Sequence, residues 1–369
     1  MKYIELALVL AAATSCSEGV TTKAVANIRQ SDLVTVPSEC GPVSGTIRFE
    51  QIDNSDQVTV EIDVTGIAAG SHGFHIHEFG DETMGGRRLG LHYVKQCFNS
   101  SDPECMKDSI HGLPPNEIRQ TGDMGNIVAD ENCNIKRTVV IGQDKLSLTD
   151  PIKSIVGRAV NIHSDEDDGT APFGNAGVSY AFGIIGVATD GLSMGPTLPF
   201  PTEIVCRMIP SAQYPVNGTV GILYEYGAQN SIQMRGILDS LPKNQKMSFH
   251  FHEFAEAGNP GAIYNQQESG VQLTELTSDA NGYADYTNIY NEPSGQLAFL
   301  LGKALTVHEG PESSTPTIGF SVCGLANAGT LEFLLPRTKN TNNDGNSSNA
   351  TTASLVLSLL TLIFGLAPR

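Results

Sequence analysis

A motif that places two histidines two residues apart occurs twice in this chain. The first copy reads GFHIHEFGD and carries His75 and His77, and the second reads SFHFHEF and carries His250 and His252. Because successive side chains of a β-strand point to opposite faces, both histidines of each copy lie on one face and can reach one metal ion. A lone pair of this kind is more often an ordinary pair of strand histidines, but its repetition predicts a duplicated metal-site module.

Strand-like segments separated by turn signals surround both copies of the motif. They are rich in β-branched residues and several alternate between apolar and polar positions, whereas no long helical pattern occurs. Residues 191–204 are rich in Pro and read as a linker, after which the series of strands starts again. The chain is therefore predicted to be all-β, with two tandem antiparallel barrel or sandwich domains at residues 38–190 and 205–336.

Both ends of the chain carry patterns typical of targeting segments. Residues 1–17 combine Lys2 with a short apolar run and small residues, which predicts a secretory signal peptide; a lipoprotein signal with Cys16 as the lipidated residue is the alternative. Residues 337–369 form a polar stalk and an apolar tail, which predicts a glycolipid-anchor (GPI) signal, with a short membrane anchor as the alternative. We therefore expect a secreted protein held at the extracellular cell surface by a GPI anchor.

The cysteines suit such a compartment. Of the seven, one falls in the predicted signal peptide, and the other six are an even number that permits disulfides outside the cell. Their spacing does not determine how they pair. Our working assignment closes one loop with Cys97 and Cys105 and joins Cys206 to Cys323 in the second domain. It leaves two cysteines over, Cys40 and Cys133.

Charge and glycosylation signals limit the partners. Sequons at Asn99 and Asn217 suit a secreted glycoprotein. The formal net charge of −18 argues against nucleic acid and against anionic membrane surfaces as partners. Contact with a membrane is therefore expected only through the lipid anchor.

The segments around the first motif resemble the copper/zinc superoxide dismutase family. Four stretches carry the resemblance: GFHIHEFGD, TGDMGNIVAD, IVGRAVNIH, and GNAG followed by GIIGVA. Together they span most of residues 40–188. The resemblance implies a Greek-key antiparallel β-barrel and an antioxidant oxidoreductase that converts superoxide into oxygen and hydrogen peroxide.

The same resemblance implies a copper site made of four histidines, His75, His77, His92 and His163. Imidazole is acceptable to both the cuprous and the cupric ion. His92 falls on the histidine that bridges copper to zinc in the family, and we expect it to be catalytic. A ligand that exchanges a metal for a proton supplies a proton as superoxide becomes peroxide. His72 should face away from His75 and is expected to have no metal role.

The zinc site that the resemblance implies is incomplete. His92, His111 and Asp123 fall on zinc ligands of the family, but Gln120 stands where a third zinc histidine belongs. A carboxamide is a poor zinc ligand beside imidazole or carboxylate, so zinc binding stays open.

An acidic loop follows His163, and its role also stays open. Asp167 is either the carboxylate that links the two metal sites from behind their ligands or one member of a solvated acidic loop.

Other positions depart from the family. Ser179 occupies the place of the arginine that draws the anion toward copper, and a hydroxyl does not replace a guanidinium as a charge, which predicts reduced turnover. Gly86 and Phe182 occupy the two cysteine positions of the family's disulfide within the domain. Residues 94–106 look inserted.

The second domain reads as a degenerate copy of the first. It keeps His250, His252 and His308, whereas Ile263 replaces the bridging histidine and Asp279 alone echoes the zinc ligands. Three imidazoles suit cuprous copper, so we expect a candidate copper site without efficient dismutation. The alternative is that the domain is kept for packing or for binding a partner.

Two functions follow from these patterns. The first is an extracellular, surface-anchored superoxide dismutase that uses copper in the first domain, with superoxide as its substrate. The alternative is a copper-binding or interaction protein with a dismutase-like fold and no enzymatic activity. Neither the oligomeric state nor the disulfide connectivity follows from the sequence.

Overall fold

The computed structural model describes most of the chain between residues 21 and 331. The described residues are 21–52, 55, 57–95, 103–142, 145–150, 152–189, 203–225, 231–264, 275–291, 300–311, 315–327 and 329–331. All of them belong to one compact unit, residues 1–336. The predicted signal peptide, most of the predicted linker, and the predicted stalk and anchor lie outside the described residues.

The first part of the chain folds into an eight-stranded antiparallel sheet that closes into a barrel-like shape. Its strands are β1 (Thr21–Gln30), β2 (Ser44–Ile52), β3 (Gln57–Thr65), β4 (Gly70–His77), β5 (Asp123–Ala129), β6 (Asn134–Gly142), β7 (Ala159–His163) and β8 (Ser179–Val187). They are ordered β5-β4-β7-β8-β1-β2-β3-β6, so consecutive strands do not always pair, as in a Greek key. A short helix, α1 (Pro103–Lys107), lies between β4 and β5.

The second part repeats this arrangement. Its strands are β9 (Glu203–Met208), β10 (Asn217–Glu225), β11 (Ser231–Asp239), β12 (Lys246–His252), β13 (Glu275–Thr277), β14 (Ala284–Asn291), β15 (Ala304–His308) and β16 (Thr317–Leu325). Their order, β13-β12-β15-β16-β9-β10-β11-β14, equals that of the first sheet with every strand number raised by eight. The predicted all-β fold with two tandem barrel domains is confirmed.

The first barrel begins earlier than the predicted boundary at residue 38. Strand β1 starts at Thr21 and pairs with both β2 and β8, so it is an internal strand of the sheet. Its apolar positions are short residues such as Ala24 and Ala26, which made its alternation weak in the sequence. In the second barrel, β9 begins at Glu203, inside the predicted linker.

Alternating strands build each core. In β3, Val58, Val60, Ile62 and Val64 are all fully buried, while the residues between them face outward. Burial of such side chains contributes about 1.5–3 kcal/mol each. Strand β8 is buried at every position, because one face lines the core and the other meets further parts of the molecule. Within the described residues, no helix is long and apolar enough to cross a membrane.

The two barrels contact each other through equivalent backbone positions. The N–H of Val187 donates to Gly302 O at 2.9 Å, and the N–H of Leu325 donates to Gly157 O at 2.8 Å. Val187 and Leu325 end equivalent strands, and the two glycines each precede an equivalent strand by two residues. The contact is thus approximately two-fold symmetric, as in an isologous dimer, but within one chain.

Glycines make this close approach possible. A Cβ placed on Gly157 would lie 2.7 Å from Leu301 Cδ2, and one placed on Gly302 would lie 2.6 Å from Val156 Cγ1. Leu301 and Val156 are themselves equivalent positions of the two barrels. Any side chain at either glycine would therefore push the barrels apart.

Two disulfides are complete among the described residues. The predicted Cys206–Cys323 bond joins β9 to β16, with the two Cα atoms 4.2 Å apart. The two leftover cysteines form a second bond, Cys40–Cys133, across a sequence separation of 93 residues, which spacing alone did not reveal. Cys105 is also disulfide-bonded. The proposed partner, Cys97, lies outside the described residues.

Of the two candidate glycosylation sites, Asn99 lies outside the described residues. Asn217 begins β10, and its Nδ2, the atom that would carry a glycan, donates a 2.9 Å hydrogen bond to Asp239 Oδ2. Glycosylation stays a prediction.

Candidate metal centre

The four predicted copper histidines lie together at one end of the first barrel. His75 and His77 are on β4, and His163 ends the adjacent strand β7. His92 lies in the loop after β4 and forms an isolated bridge with His77. One ligand atom from each of the four lies within 4.8 Å of the others, and all four side chains are buried.

In these rings, a hydrogen bond at one ring nitrogen determines where the other ring nitrogen points. His77 Nδ1 lies 3.0 Å from the carbonyl of Gly90, which leaves its Nε2 turned toward Nε2 of His163, 3.2 Å away. His75 Nε2 donates to Asp167 Oδ2 at 2.7 Å, so its Nδ1 is left buried with no hydrogen-bond partner among the described residues. Buried nitrogens without partners are costly in a protein interior unless an ion binds them. The cluster therefore fits copper.

Burial also keeps these ligands neutral. Loss of hydration lowers the pKa of His75, His77 and His163 to about 3 in each case, and the neighbouring histidines add to the effect. A neutral imidazole offers a lone pair to a metal at neutral pH without first losing a proton.

His92 belongs to two clusters at once. Its ring lies 3.9 Å from that of His75 and 5.2 Å from that of His111, measured between centroids. Its Nδ1 donates to Asp123 Oδ1 at 2.9 Å. One side of this ring thus faces the copper cluster and the other faces the predicted zinc ligands.

The predicted zinc ligands also converge. Ligand atoms of His92, His111 and Asp123 lie within 4.8 Å of one another, and all three residues are buried. Burial tends to raise the pKa of Asp123, but hydrogen bonds from His111, His92 and the Gly112 N–H outweigh it and lower the pKa to about 2. The carboxylate is therefore charged and available to a cation.

Gln120 lies beside this group. Its backbone N–H donates to Asp123 Oδ2 at 3.0 Å, while its side-chain Oε1 is buried and has no hydrogen-bond partner among the described residues. The backbone of Gln120 thus helps to hold Asp123, and its side chain carries a buried oxygen without a partner among the described residues.

Asp167 lies behind both groups. It is 1% exposed, whereas Asp165 and Asp168 on the same loop face solvent. Its two oxygens accept hydrogen bonds from His75 Nε2 at 2.7 Å and His111 Nε2 at 3.0 Å. Of the two roles that the sequence left open, this geometry matches a carboxylate linking two metal sites.

His111 differs from the other histidines in its charge. Burial alone would lower its pKa, but the carboxylates of Asp123 and Asp167 on either side raise the pKa to about 10. Without a metal, the ring therefore carries a proton between two carboxylates. A zinc ion at this place would replace that proton and add one net positive charge beside the two carboxylates.

Asn161 is a residue of the site that sequence reasoning missed. It is fully buried on β7, and its Nδ2 lies 3.1 Å from His77 Nε2 and 3.0 Å from His163 Nε2. Its Oδ1 accepts a 2.6 Å hydrogen bond from Ser179 Oγ. The available signal was an asparagine on the histidine face of an otherwise apolar strand, two residues before His163.

Other predicted positions lie near the site without joining it. His72 places its ring nitrogens 2.8 Å from His163 O and 2.7 Å from Ala68 O, consistent with a structural role. A Cβ on Gly86 would lie 3.0 Å from Phe182 Cε1, so the two positions of the family's disulfide are neighbours here without a bond.

The loop between His77 and His92 is fastened by other means. The guanidinium of Arg29 lies 4.2 Å from the ring centroid of Phe182 and forms a 3.2 Å ion pair with Glu82. Asp81, which is fully buried, accepts hydrogen bonds from the N–H of Asn327 and the hydroxyl of Thr330. Both donors belong to the second barrel, which thus holds the loop of the first.

The second barrel keeps three histidines and little else of the site. The ring centroids of His250 and His252 lie 5.8 and 5.7 Å from that of His308. Ile263 forms the isolated bridge with His252 that His92 forms with His77. Asp279 lies at an exposed turn, where it caps the N–H groups of Asn281 and Tyr283. Among the described residues, the clusters with ligand atoms within 4.8 Å are both in the first barrel.

A family model and a curated relative both match the first barrel. The family model for copper/zinc superoxide dismutase matches residues 43–185. The superoxide dismutase [Cu-Zn] of Schizosaccharomyces pombe is 39% identical over 154 residues, which are 40% of this chain and 91% of that protein. A solved structure, the crystal structure of the clock protein EA4, is 33% identical and aligns with 46% of this chain and 96% of its own, with a TM-score of 0.36.

Proposed function

The chain belongs to the copper/zinc superoxide dismutase family, and we propose that its first barrel dismutates superoxide with bound copper. The observation that carries the proposal is the convergence of four buried histidines, His75, His77, His92 and His163. The hydrogen bond of His75 to Asp167 leaves its Nδ1 unpaired among the described residues, and the contact of His77 Nδ1 with Gly90 turns its Nε2 toward the group.

The reaction needs electrons and protons in balance. Two superoxide anions and two protons give one molecule of oxygen and one of hydrogen peroxide. Copper, when bound, supplies the single-electron exchange by alternating between its cupric and cuprous states. His92 is the residue placed to hold a proton at its copper-facing nitrogen, because Asp123 holds its Nδ1 on the other side of the ring. It releases that proton as peroxide forms.

Asn161 gives the substrate anion a hydrogen-bond donor. Ser179 holds the amide oxygen, so the Nδ2 protons point toward the copper-binding nitrogens of His77 and His163. An N–H donor stabilises a nearby anion, but an uncharged amide attracts it only at short range. We expect this pair to orient superoxide without the long-range attraction of an arginine, so that capture is slower.

Zinc binding is the less complete half of the proposal. His92, His111 and Asp123 supply three ligand atoms, and the unpaired Oε1 of Gln120 is the candidate for the fourth. This donor set supports a zinc site weaker than one with a third histidine.

Substitution of His92 tests the proposed activity. The full chain loaded with copper should consume superoxide catalytically, and His92→Ala should lose most of that rate while keeping the copper bound by the other three histidines. Ile263→Ala, which changes the equivalent position in the second barrel, is the matched control and should keep the rate of the unsubstituted chain. A normal rate for His92→Ala would overturn the role given to this residue.

A second function is favoured by one observation, the uncharged Ser179 in place of an arginine. With a weak anion-attracting field, the copper site would serve for metal binding rather than for turnover. One copper bound per first barrel together with stoichiometric, non-catalytic loss of superoxide would support that function.

The cellular location is a separate part of the proposal. The patterns at residues 1–17 and 337–369 support export and a GPI anchor. Treatment of intact cells with a phosphatidylinositol-specific phospholipase C should release the protein from the surface. Retention of the protein after treatment, with a control GPI protein released, would exclude the anchor.

A further inference from the structure

We propose that His250, His252 and His308 form a second metal site, which binds cuprous copper and does not turn over. His250 and His252 lie on β12 and His308 ends β15. The two strands are adjacent, with His250 opposite Thr306 and His252 opposite Ala304. The three histidines thus lie together at one end of the second barrel.

Two of these atoms are buried without any hydrogen-bond partner among the described residues. They are Nδ1 of His250 and Nε2 of His252, and the residue His252 is 6% exposed. His75 in the first barrel leaves the same nitrogen, Nδ1, unpaired. A buried nitrogen without a partner lowers stability unless something binds it, and no carbonyl or hydroxyl has taken that role here.

Backbone carbonyls hold the opposite sides of two rings. His252 Nδ1 lies 2.9 Å from Gly261 O, and His308 Nδ1 lies 2.9 Å from Thr315 O. Protons on these Nδ1 atoms leave both Nε2 atoms as lone-pair donors facing the group. His308 Nε2 meets the Thr306 hydroxyl at 3.0 Å, a contact that a metal would displace or share.

The site is somewhat wider than its counterpart. The ring centroids of His250 and His308 are 5.8 Å apart, against 4.8 Å for His75 and His163 in the first barrel. The strands that carry the two sets of histidines share one register, with His250 opposite Thr306 as His75 is opposite Asn161.

Two features favour the cuprous ion. Ile263 lies where His92 lies in the first barrel and offers no ligand atom, so the protein supplies three nitrogens. Cuprous copper accepts three ligands, whereas cupric copper prefers a tetragonal set and structural zinc a tetrahedral one.

Charge supports the same choice. In the first barrel, Asp167 and Asp123 hydrogen-bond to the metal-binding histidines. In the second barrel, no carboxylate of the described residues hydrogen-bonds to any of the three histidines. A buried ion with a single charge needs less compensation than one with two charges.

The test counts cuprous copper on the full chain. Under anaerobic conditions, in competition with a cuprous chelator, the chain should bind two copper ions. His252→Asn should bind one, a variant with both His75→Asn and His77→Asn should bind one, and the variant with all three changes none. His72→Asn is the matched control, because this buried histidine bonds only to backbone carbonyls, and it should still bind two.

The coordination of the second site is measured on the variant with both His75→Asn and His77→Asn, where the first site keeps only two of its four histidines. X-ray absorption of its remaining cuprous copper should give three nitrogen neighbours. A single copper on the unsubstituted chain, two copper ions on His252→Asn, or zinc displacing copper from the second site would each overturn the proposal. If His252→Asn fails to fold, His308→Gln replaces it with the same expected count.

Discussion

Ser179 donates a 2.6 Å hydrogen bond to Oδ1 of Asn161 and so determines which end of the amide faces the copper histidines. With its oxygen engaged, Asn161 presents Nδ2 to the two Nε2 atoms of His77 and His163. A position that looked like a simple loss of charge in the sequence is thus part of a buried polar pair.

Replacement of Asn161 by valine removes the donor and keeps the shape. If the amide orients superoxide, catalytic consumption per copper should fall roughly ten- to hundredfold, the range that corresponds to about 1.5–3 kcal/mol for a hydrogen bond to a charged group. Copper content should stay unchanged. Stopped-flow decay of superoxide measures the effect, and an unaltered rate at full copper content would remove Asn161 from the site's chemistry.

A guanidinium at position 179 should add attraction at a distance. We expect Ser179→Arg to raise the rate of superoxide consumption at low ionic strength, and added salt should reduce that gain because it screens the charge. Ser179→Gln is the uncharged control of comparable polarity. A gain that persists at high salt would point to an effect other than attraction of the anion.

The zinc site should respond to a single change. Gln120→His supplies the imidazole that the site lacks, so zinc content per chain should rise and the metal should resist chelators longer. Gln120→Ala is the control and should bind zinc more weakly than the unsubstituted chain. Equal zinc affinity for all three proteins would show that position 120 does not contact the metal.

Asp81 should stabilise the contact between the barrels. Its buried carboxylate accepts hydrogen bonds from Thr83 of its own loop and from Asn327 and Thr330 of the second barrel. Asp81→Ala leaves these donors unpaired and should lower the free energy of unfolding by about 1–3 kcal/mol or more. Denaturant unfolding measures this loss. Asp32→Ala, at an exposed position, is the control and should change stability by less than about 0.5 kcal/mol.

The metal-free protein should be most stable near neutral pH. The pKa of about 3 for His75, His77 and His163 lies below the ordinary 6.5, so the folded protein binds fewer protons than the unfolded chain and stability falls as pH drops from about 6.5 toward 3. His111, with a pKa raised to about 10, contributes in the opposite sense, and its share is lost as pH rises from 6.5 through 10.

Thermal unfolding measured across this pH range gives the loss of stability on the acid side and on the alkaline side. Bound copper should also be lost on the acid side, because protons compete for the same nitrogens. A variant with His75, His77 and His163 all replaced by asparagine should lose less stability in acid. If its stability falls with pH as before, other groups cause the fall.

Much of the fold could be predicted from the sequence, because the duplication repeats both the strands and the histidine motif. Two features of the fold were not predicted. Strand β1 was missed because its buried positions are small residues such as Ala24 and Ala26, which give little hydrophobic contrast. The Cys40–Cys133 bond joins residues 93 apart, and no local spacing predicts such a pair.

The site residues could be predicted from the sequence where their type commonly binds metal ions, as with the histidines and Asp123. Asn161 escaped because an amide on a strand has no distinctive spacing, and its role depends on Ser179 across the strand pair. The buried position of Asp167 also depends on the fold, because its loop is acidic on both sides of it.

Copper bound in the first barrel should turn over. The most direct measurement is the stopped-flow decay of superoxide at neutral pH with the full chain carrying a known amount of copper. We expect many superoxide anions to be consumed per copper, and we expect His92→Ala to lose that activity. Consumption that stops at about one superoxide per copper would contradict it and leave a copper-binding protein with a dismutase fold.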